Sequence, residues 1–404
     1  MNIAEQGRGL AGGHRVFFHI GAPKTGTTFL QSVLAANRER LAEQGLLYAI
    51  QSQQESFEAT RDFVGQGWAR RPAAVFKGKW EVIAERCRAW PGTVVISNEL
   101  LGGASLQRVE AGIASILPAE VHVVFTARDL GRQLVSDWQE QVKHKHTVTL
   151  EKFVGELIEQ GLDAPAPFGQ MFWGLHDAPY ILARWAPLVP RERIHVVTVP
   201  RPGAPSATLW RRFASVLGLD PEGYDLNVRR TNPSMGVAET ELVRRLNFEL
   251  KRIPARQYDA LVRLNLAEQV LGGGKPGLTL PPERLPWVVE RSKRLVAELR
   301  EARYDVVGDL DELIPAADDL PDHVSPTGLS DRDLAEASLK AAAGAIKLAA
   351  KVREENLLLR EQLAKPEPAP ARPGEPAATT GHGPVRRLVG KTLRRARAVR
   401  ERLR

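Results

Sequence analysis

The sequence predicts an α/β fold: a parallel five-stranded sheet flanked by helices, followed by a long C-terminal helix and a basic tail. Short apolar runs alternate with longer stretches whose apolar residues recur every three to four positions, the pattern of a parallel sheet covered by helices on both faces. The chain has 404 residues and is 43% apolar, enough to fill the core of a catalytic-size domain. Beyond about residue 325 the composition changes twice, first to an alanine-rich charged stretch and then to a proline-rich one.

The five expected strands are "RVFFHI" (15–20), "GLLYA" (45–49), "TVVIS" (93–97), "VHVVFTA" (121–127) and the run at 193–198. Between them, Phe29 to Gln44 and Leu130 to Lys143 carry helical spacing. From Gly236 to Ala302 the pattern is mainly helical, and "IPAADDLPDHVSPTG" marks the end of the compact part, with a boundary near Ser325. The expected organisation is a flexible N-terminus at 1–14, one globular catalytic domain at 15–325 and a long helix at 330–364. A Pro/Ala-rich linker at 365–384 and a basic amphipathic helix at 385–404 complete it. In the long helix, Ala342, Ala345, Ala349, Val352, Asn356, Leu359 and Leu363 alternate by three and four. That is the seam of a short coiled coil, and Asn356 at an a position with Leu359 at d favours a parallel homodimer through residues 342–363. A solitary helix packed on its own domain is the competing reading.

The net charge of +8 is localised. Residues 384–404 hold nine Lys and Arg and one acid, Glu401, so the rest of the chain balances to zero. The main domain therefore has no basic surplus to suggest nucleic acid. In the tail, Val385, Leu388, Val389, Leu393, Ala396, Val399 and Leu403 form one stripe with arginines over most of the remainder. This reads as an element for an anionic membrane surface. Nucleic acid is less favoured because the tail has no aromatic residue for stacking, and a solvated tail is the plain alternative. The single cysteine, Cys87, excludes an intrachain disulfide and reads as an inert core residue. The opening residues have no apolar stretch of a signal peptide, and no run approaches the roughly 20 apolar residues of a membrane span. The expected location is cytoplasmic, peripheral at the inner membrane face where the tail binds lipid.

The informative stretch is "HIGAPKTGTTFL", His19 to Leu30. A strand, a glycine-bearing loop and a helix starting near Thr27 would point backbone N–H groups and the positive helix end at an anion. Gly21 and Gly26 permit close backbone approach, and the hydroxyls of Thr25, Thr27 and Thr28 can donate to phosphate oxygens. Nucleoside-triphosphate enzymes place a lysine directly after the second glycine, where it reaches the β- and γ-phosphates. Here Thr27 occupies that slot and the lysine, Lys24, lies inside the loop. A lysine there suits a donor whose phosphate is esterified to one transferable anionic group.

The loop resembles the 5′-phosphosulfate loop of the bacterial sulfotransferases that use 3′-phosphoadenosine 5′-phosphosulfate (PAPS), a family of nucleoside-kinase-like fold. The resemblance implies PAPS as co-substrate, with no metal, and Lys24 binding the phosphosulfate and stabilising the bridging oxygen as the sulfuryl group leaves. It also implies a 3′-phosphate element, which "TARDLGRQLVS" resembles: Arg128 ends a strand and Ser136 follows eight residues later. A planar guanidinium fork suits a doubly charged phosphate. The resemblance spans about residues 15–310 and says nothing of the acceptor pocket.

Transfer to a hydroxyl or amine needs a base near the attacking atom. Glu99, just past the third strand, resembles in position the catalytic glutamate of heparan-type and many bacterial sulfotransferases. Histidines are the alternative: His144 and His146 could line an acceptor mouth with Trp138, Gln139 and Lys143, whereas His19 reads as packed inside the first strand. In "VRRTNPSMG", Arg229, Arg230 or Ser234 could touch the donor from a late basic loop, or could form an exposed turn. The acceptor is unidentified, with a carbohydrate or lipid among the classes. Two other functions compete: a magnesium-dependent P-loop kinase or phosphotransferase, and a non-catalytic PAPS-site scaffold dimerising through its C-terminal helix.

Overall fold

In the computed structural model, residues 13–68, 71–228, 234–316 and 322–364 are described. The chain enters through β1 (Arg15–His19) and α1 (Thr27–Ala36), then α2 (Arg38–Glu43), β2 (Leu46–Tyr48), α3 (Gln53–Val64) and α4 (Lys79–Ala89). Next come β3 (Thr93–Ser97), α5 (Leu106–Ala114), β4 (Glu120–Ala127), α6 (Leu130–Lys143), α7 (Leu150–Gln160), α8 (Phe168–His176) and α9 (Ala178–Leu182). The remainder comprises β5 (Ile194–Thr198), α10 (Thr208–Leu217), α11 (Val237–Glu249), α12 (Ala255–Tyr258), α13 (Leu285–Ala302), β6 (Asp305–Val307) and α14 (Asp331–Ala364).

The strands form one parallel sheet in the order β2-β3-β1-β4-β5-β6. The expected sheet of five strands gains a sixth. β6 is three residues at an edge, too short to show a pattern, and it forms because β5 offers it a free row of hydrogen-bonding groups. β3 and β5 are buried along their whole length, in keeping with their mainly apolar sequences.

The register brings the ends of β1 and β3 level, while β4 runs three residues further, to Ala127. His19 at the end of β1 pairs with Ser97 of β3 on one side and Val124 of β4 on the other. β2 and β3 lie to one side of β1 and β4 to β6 to the other, so the strand order reverses at β1 and leaves a crevice at its carboxyl end.

One core surrounds the sheet and holds Phe17, Phe18, Phe63, Trp80 and Trp185. A second core is built by helices around α6, with Trp138, Phe153, Phe172 and Val288. α6 thus belongs to the second core while its first turn continues from β4. Cys87 is buried on α4, and burial pushes its thiol up to about 12, which leaves it protonated and inert.

The first compact unit runs through Ile346, further than the turn near Ser325 suggests. The start of α14 belongs to it: Ala337 is buried, and Lys340 Nζ lies 3.4 Å from Glu239 Oε1. Further along α14, the seam residues Val352, Leu359 and Leu363 are 44, 52 and 61% exposed among the described residues. No helix among the described residues is long and apolar enough to cross a membrane. Residues 1–12, the linker at 365–384 and the basic segment at 385–404 lie outside the described residues.

Candidate active site

The loop after β1 is shaped by three backbone constraints. Gly21 passes so close to β4 that a Cβ there would stand 1.9 Å from Thr126 Oγ1. Gly26 has φ +88°, and its Cβ would meet Leu209 at 2.5 Å. Lys24 is left-handed at φ +63°, an uncommon conformation for a side chain of that size. It is held there from outside, because Arg128 Nη1 donates to the Lys24 carbonyl at 2.9 Å.

α1 starts directly after Gly26 with no side-chain cap, so its first N–H groups have no intramolecular partner from a capping residue. They face a cleft of about 1310 Å³ lined by Lys24, Gly26, Thr27, Thr28, Glu99, Arg128 and Ser136. Two of the expected loop residues serve otherwise. Gly21 does not line the cleft and is needed for packing on β4. Thr25 is fully buried, donates its hydroxyl to the Ala22 carbonyl at 2.6 Å and lies 2.7 Å from Thr126 Oγ1. Its hydroxyl closes the turn and is not available to a ligand.

On the far side of the crevice, Arg128 follows β4, and Asp129 caps α6 by accepting from Arg132 N at 2.9 Å. That cap sets the first turn so that Ser136, two turns on, comes back to Arg128: Nη1 to Oγ is 3.3 Å. Burial, reinforced by Arg132 nearby, lowers the Arg128 guanidinium to about 10, which still leaves it charged. Its Nε is buried without a partner among the described residues.

Glu99 sits on the near side, in the 3₁₀ turn Glu99–Gly103 that follows β3. Asn98 fixes this turn in three directions. Its N–H donates to the His19 carbonyl at 3.1 Å, its Oδ1 accepts from Leu100 N at 2.9 Å, and its Nδ2 donates to Ser56 Oγ on α3 at 2.9 Å. The Glu99 carboxylate accepts from Gln31 Nε2 at 3.2 Å, which ties it to α1.

Among the histidines, His144 lines the cleft, 3.4 Å from Glu140. His146 turns away and meets the edge of Phe168 at 5.0 Å. His19 lies between Ser97 Oγ and Thr126 Oγ1 at 2.8 and 3.2 Å, and burial lowers it to about 3, so it stays neutral inside the sheet. Trp138 is wholly buried, its indole donating to the Val148 carbonyl. The amide of Gln139 reaches the cleft but is spent on Met235 N, Met235 O and Thr240 Oγ1. Ser234 lines the cleft, and Arg229 and Arg230 lie outside the described residues.

One residue that sequence reasoning missed is Glu140. Its carboxylate pairs with the Lys24 ammonium across the cleft, with Lys143 at 3.8 Å. Burial alone would raise the carboxyl, but Lys24, His144 and Lys143 outweigh it and hold Glu140 well below the usual carboxylate range. Glu140 is therefore ionised near neutral pH, and its contact keeps Lys24 turned over the loop. A signal existed: Glu140 is four residues after Ser136, so both must share one face of α6. Gln31 likewise follows Thr27 by four on α1.

No family model and no curated protein matches the chain. Among solved structures, it is similar to a sulfotransferase from Alicyclobacillus acidocaldarius, at 14% identity and a TM-score of 0.37 over 64% of this chain and 98% of that one. It is also similar to the sulfotransferase domain from the curacin biosynthetic pathway, at 14% identity and a TM-score of 0.31 over 74% of this chain and 99% of that one.

Proposed function

We propose that this protein is a sulfotransferase that moves a sulfuryl group from PAPS to a hydroxyl or amine of an acceptor. The observation that carries the reading is the contact between two separate motifs. Arg128 touches both Ser136 and the Lys24 carbonyl, so the loop lysine and the arginine-serine pair form one continuous polar wall. A donor with a 5′-phosphosulfate and a 3′-phosphate has two anionic ends, and this wall offers a cationic group to each. The Arg128 Nε, without a partner among the described residues, supports a phosphate there, because a buried donor is costly without an acceptor.

In this reading Glu99 takes the proton from the acceptor as its oxygen or nitrogen bonds to sulfur. The sulfur-oxygen bond to the 5′-phosphate breaks in line, and its electron pair stays on the phosphate oxygen. Lys24 and the N–H groups at the start of α1 stabilise that charge. Glu140 positions Lys24 before the donor arrives.

The direct test is incubation of PAPS and a metabolite extract with and without the protein, followed by mass spectrometry for newly sulfated products. Their appearance only with the protein supports the reading. Donor binding without any product would favour the non-catalytic scaffold.

Replacing Arg128 with Ala should raise the Michaelis constant for PAPS by about 10- to 100-fold, the value of one or two charge-assisted hydrogen bonds, with a smaller change in turnover. Equal use of a donor lacking the 3′-phosphate by the wild type would contradict the assignment. Because Lys24 and the α1 terminus supply the positive charge, EDTA should leave transfer largely intact. Phosphorylation from ATP that EDTA stops would instead establish the kinase reading.

A further inference from the structure

The wall of the cleft on the Glu99 side holds a cation without a counterion among the described residues. Arg61, on α3, is 6% exposed and lines the cleft. Its guanidinium lies 5.2 Å from the centre of the Trp68 ring and 5.8 Å from that of Phe57, so aromatic carbon packs against it on one side. Its Nε is buried without a partner, and the side chain makes no hydrogen bond or ion pair to any described residue. Burial alone lowers its pKa, with no carboxylate opposing that effect.

The position of this cation matters. Ser56, on the same helix, accepts from Asn98, which anchors α3 to the turn bearing Glu99. On the other flank of that turn, Arg184 donates to the carbonyls of Gly102 at 2.6 Å and Gly174 at 3.4 Å and lies over Tyr180. Arg184 thus has carbonyl partners in the wall it belongs to, though its Nε, like that of Arg61, is buried without one among the described residues, whereas Arg61 has no such partner at all among them. Arg128, with Ser136 beside it, lies across β1, at the end of β4.

A buried charge is strongly unfavourable unless paired and hydrogen-bonded, so a chain that retains one in a cleft is completed there by a ligand of opposite charge. We propose that Arg61, capped by Trp68, receives an anionic group of the acceptor, a carboxylate, sulfate or phosphate, and so selects acidic acceptors over neutral ones. Assigning the anion to the acceptor rests on the sulfuryl-transfer reading above; an anion site at Arg61 does not. An acceptor with its acidic group on Arg61 would present a neighbouring hydroxyl or amine to Glu99, since α3 and the Glu99 turn are pinned together.

The test uses the full chain saturated with 3′-phosphoadenosine 5′-phosphate, the desulfated donor, so that the donor positions are filled. Acetate, inorganic sulfate and inorganic phosphate are then titrated by calorimetry. Two matched acceptor pairs follow: 4-hydroxyphenylacetate against 4-hydroxyphenylacetamide, and methyl glucuronide against methyl glucoside. The expected result is millimolar binding of at least one inorganic or acetate anion and a preference of about tenfold or more for the acidic member of a pair, the value of a charge-assisted contact. Both should be lost in Arg61→Gln and partly kept in Arg61→Lys. Nucleotide affinity should be unchanged in both, and Arg61→Gln should melt at the same or a higher temperature than wild type, because a buried unpaired charge has been removed.

Anion binding that survives Arg61→Gln, the absence of any anion binding in the wild type, or weakened nucleotide binding in Arg61→Gln would overturn the proposal. A lower melting temperature for Arg61→Gln with anion binding retained would identify a packing arginine, which also overturns it. If the wild type fails to bind the nucleotide, the sulfuryl-transfer reading falls, while the anion titration on the nucleotide-free protein still reads the Arg61 site.

Discussion

Lys24→Ala should lower turnover of PAPS by roughly 10²- to 10³-fold, the cost typical of deleting one contact to a developing oxyanion. The substitution removes the ammonium that the loop holds toward the cleft and leaves its scaffold standing. The Lys24 carbonyl still accepts from Arg128 and the Thr25 hydroxyl still closes the turn. Glu140 does not become an isolated buried charge, because Lys143 and His144 remain within 3.8 and 3.4 Å of its carboxylate. Folding, followed by circular dichroism and thermal melting, should therefore be close to wild type, and affinity for 3′-phosphoadenosine 5′-phosphate should fall far less than turnover. A folded Lys24→Ala protein that turns over like the wild type would remove Lys24 from the chemistry.

Glu99→Gln should lower turnover by about 10²- to 10⁴-fold with little change in donor affinity, as expected when a general base is lost. The exchange is nearly isosteric. The side-chain oxygen can still accept from Gln31, and Asn98 still fixes the turn, so the loss reports the missing proton acceptor. The competing base is His144, which lies in the same cleft but leans on Glu140. Near-normal turnover in Glu99→Gln together with a large loss in His144→Ala would transfer the role to the histidine. The double variant separates the two outcomes from a shared contribution, because residues acting in one step do not add.

Much of this arrangement was legible in the sequence, and the misses have physical causes. The strands before and after the cleft announce themselves because parallel strands buried on both faces are mostly apolar, as "TVVIS" and "VHVVFTA" are. β6 escaped because three residues at a sheet edge carry no period. The glycine-threonine loop was legible as a loop, but not which of its groups face the cleft. Gly21 and Thr25 turn inward because β4 brings Thr126 against the loop, a contact made across more than 100 residues of chain. Arg128 and Ser136 were legible as a pair because both lie on one strand-to-helix segment. Glu140 shares that segment and was still missed, since its partner Lys24 is defined only once α6 packs against the loop after β1. Arg61 gave no signal at all: an arginine in "EATRDF" reads as solvated until Trp68 and Phe57 are seen to cover it.

The most direct measurement of the central claim is equilibrium binding of four nucleotides to the wild-type protein without metal: 3′-phosphoadenosine 5′-phosphate, AMP, ADP and ATP. The account predicts that 3′-phosphoadenosine 5′-phosphate binds at least about tenfold more tightly than AMP, from the charge-assisted contact of Arg128 with the 3′-phosphate. Arg128→Ala should erase that difference. Equal affinity for the two monophosphates, or tight binding of ATP that requires magnesium, would contradict it.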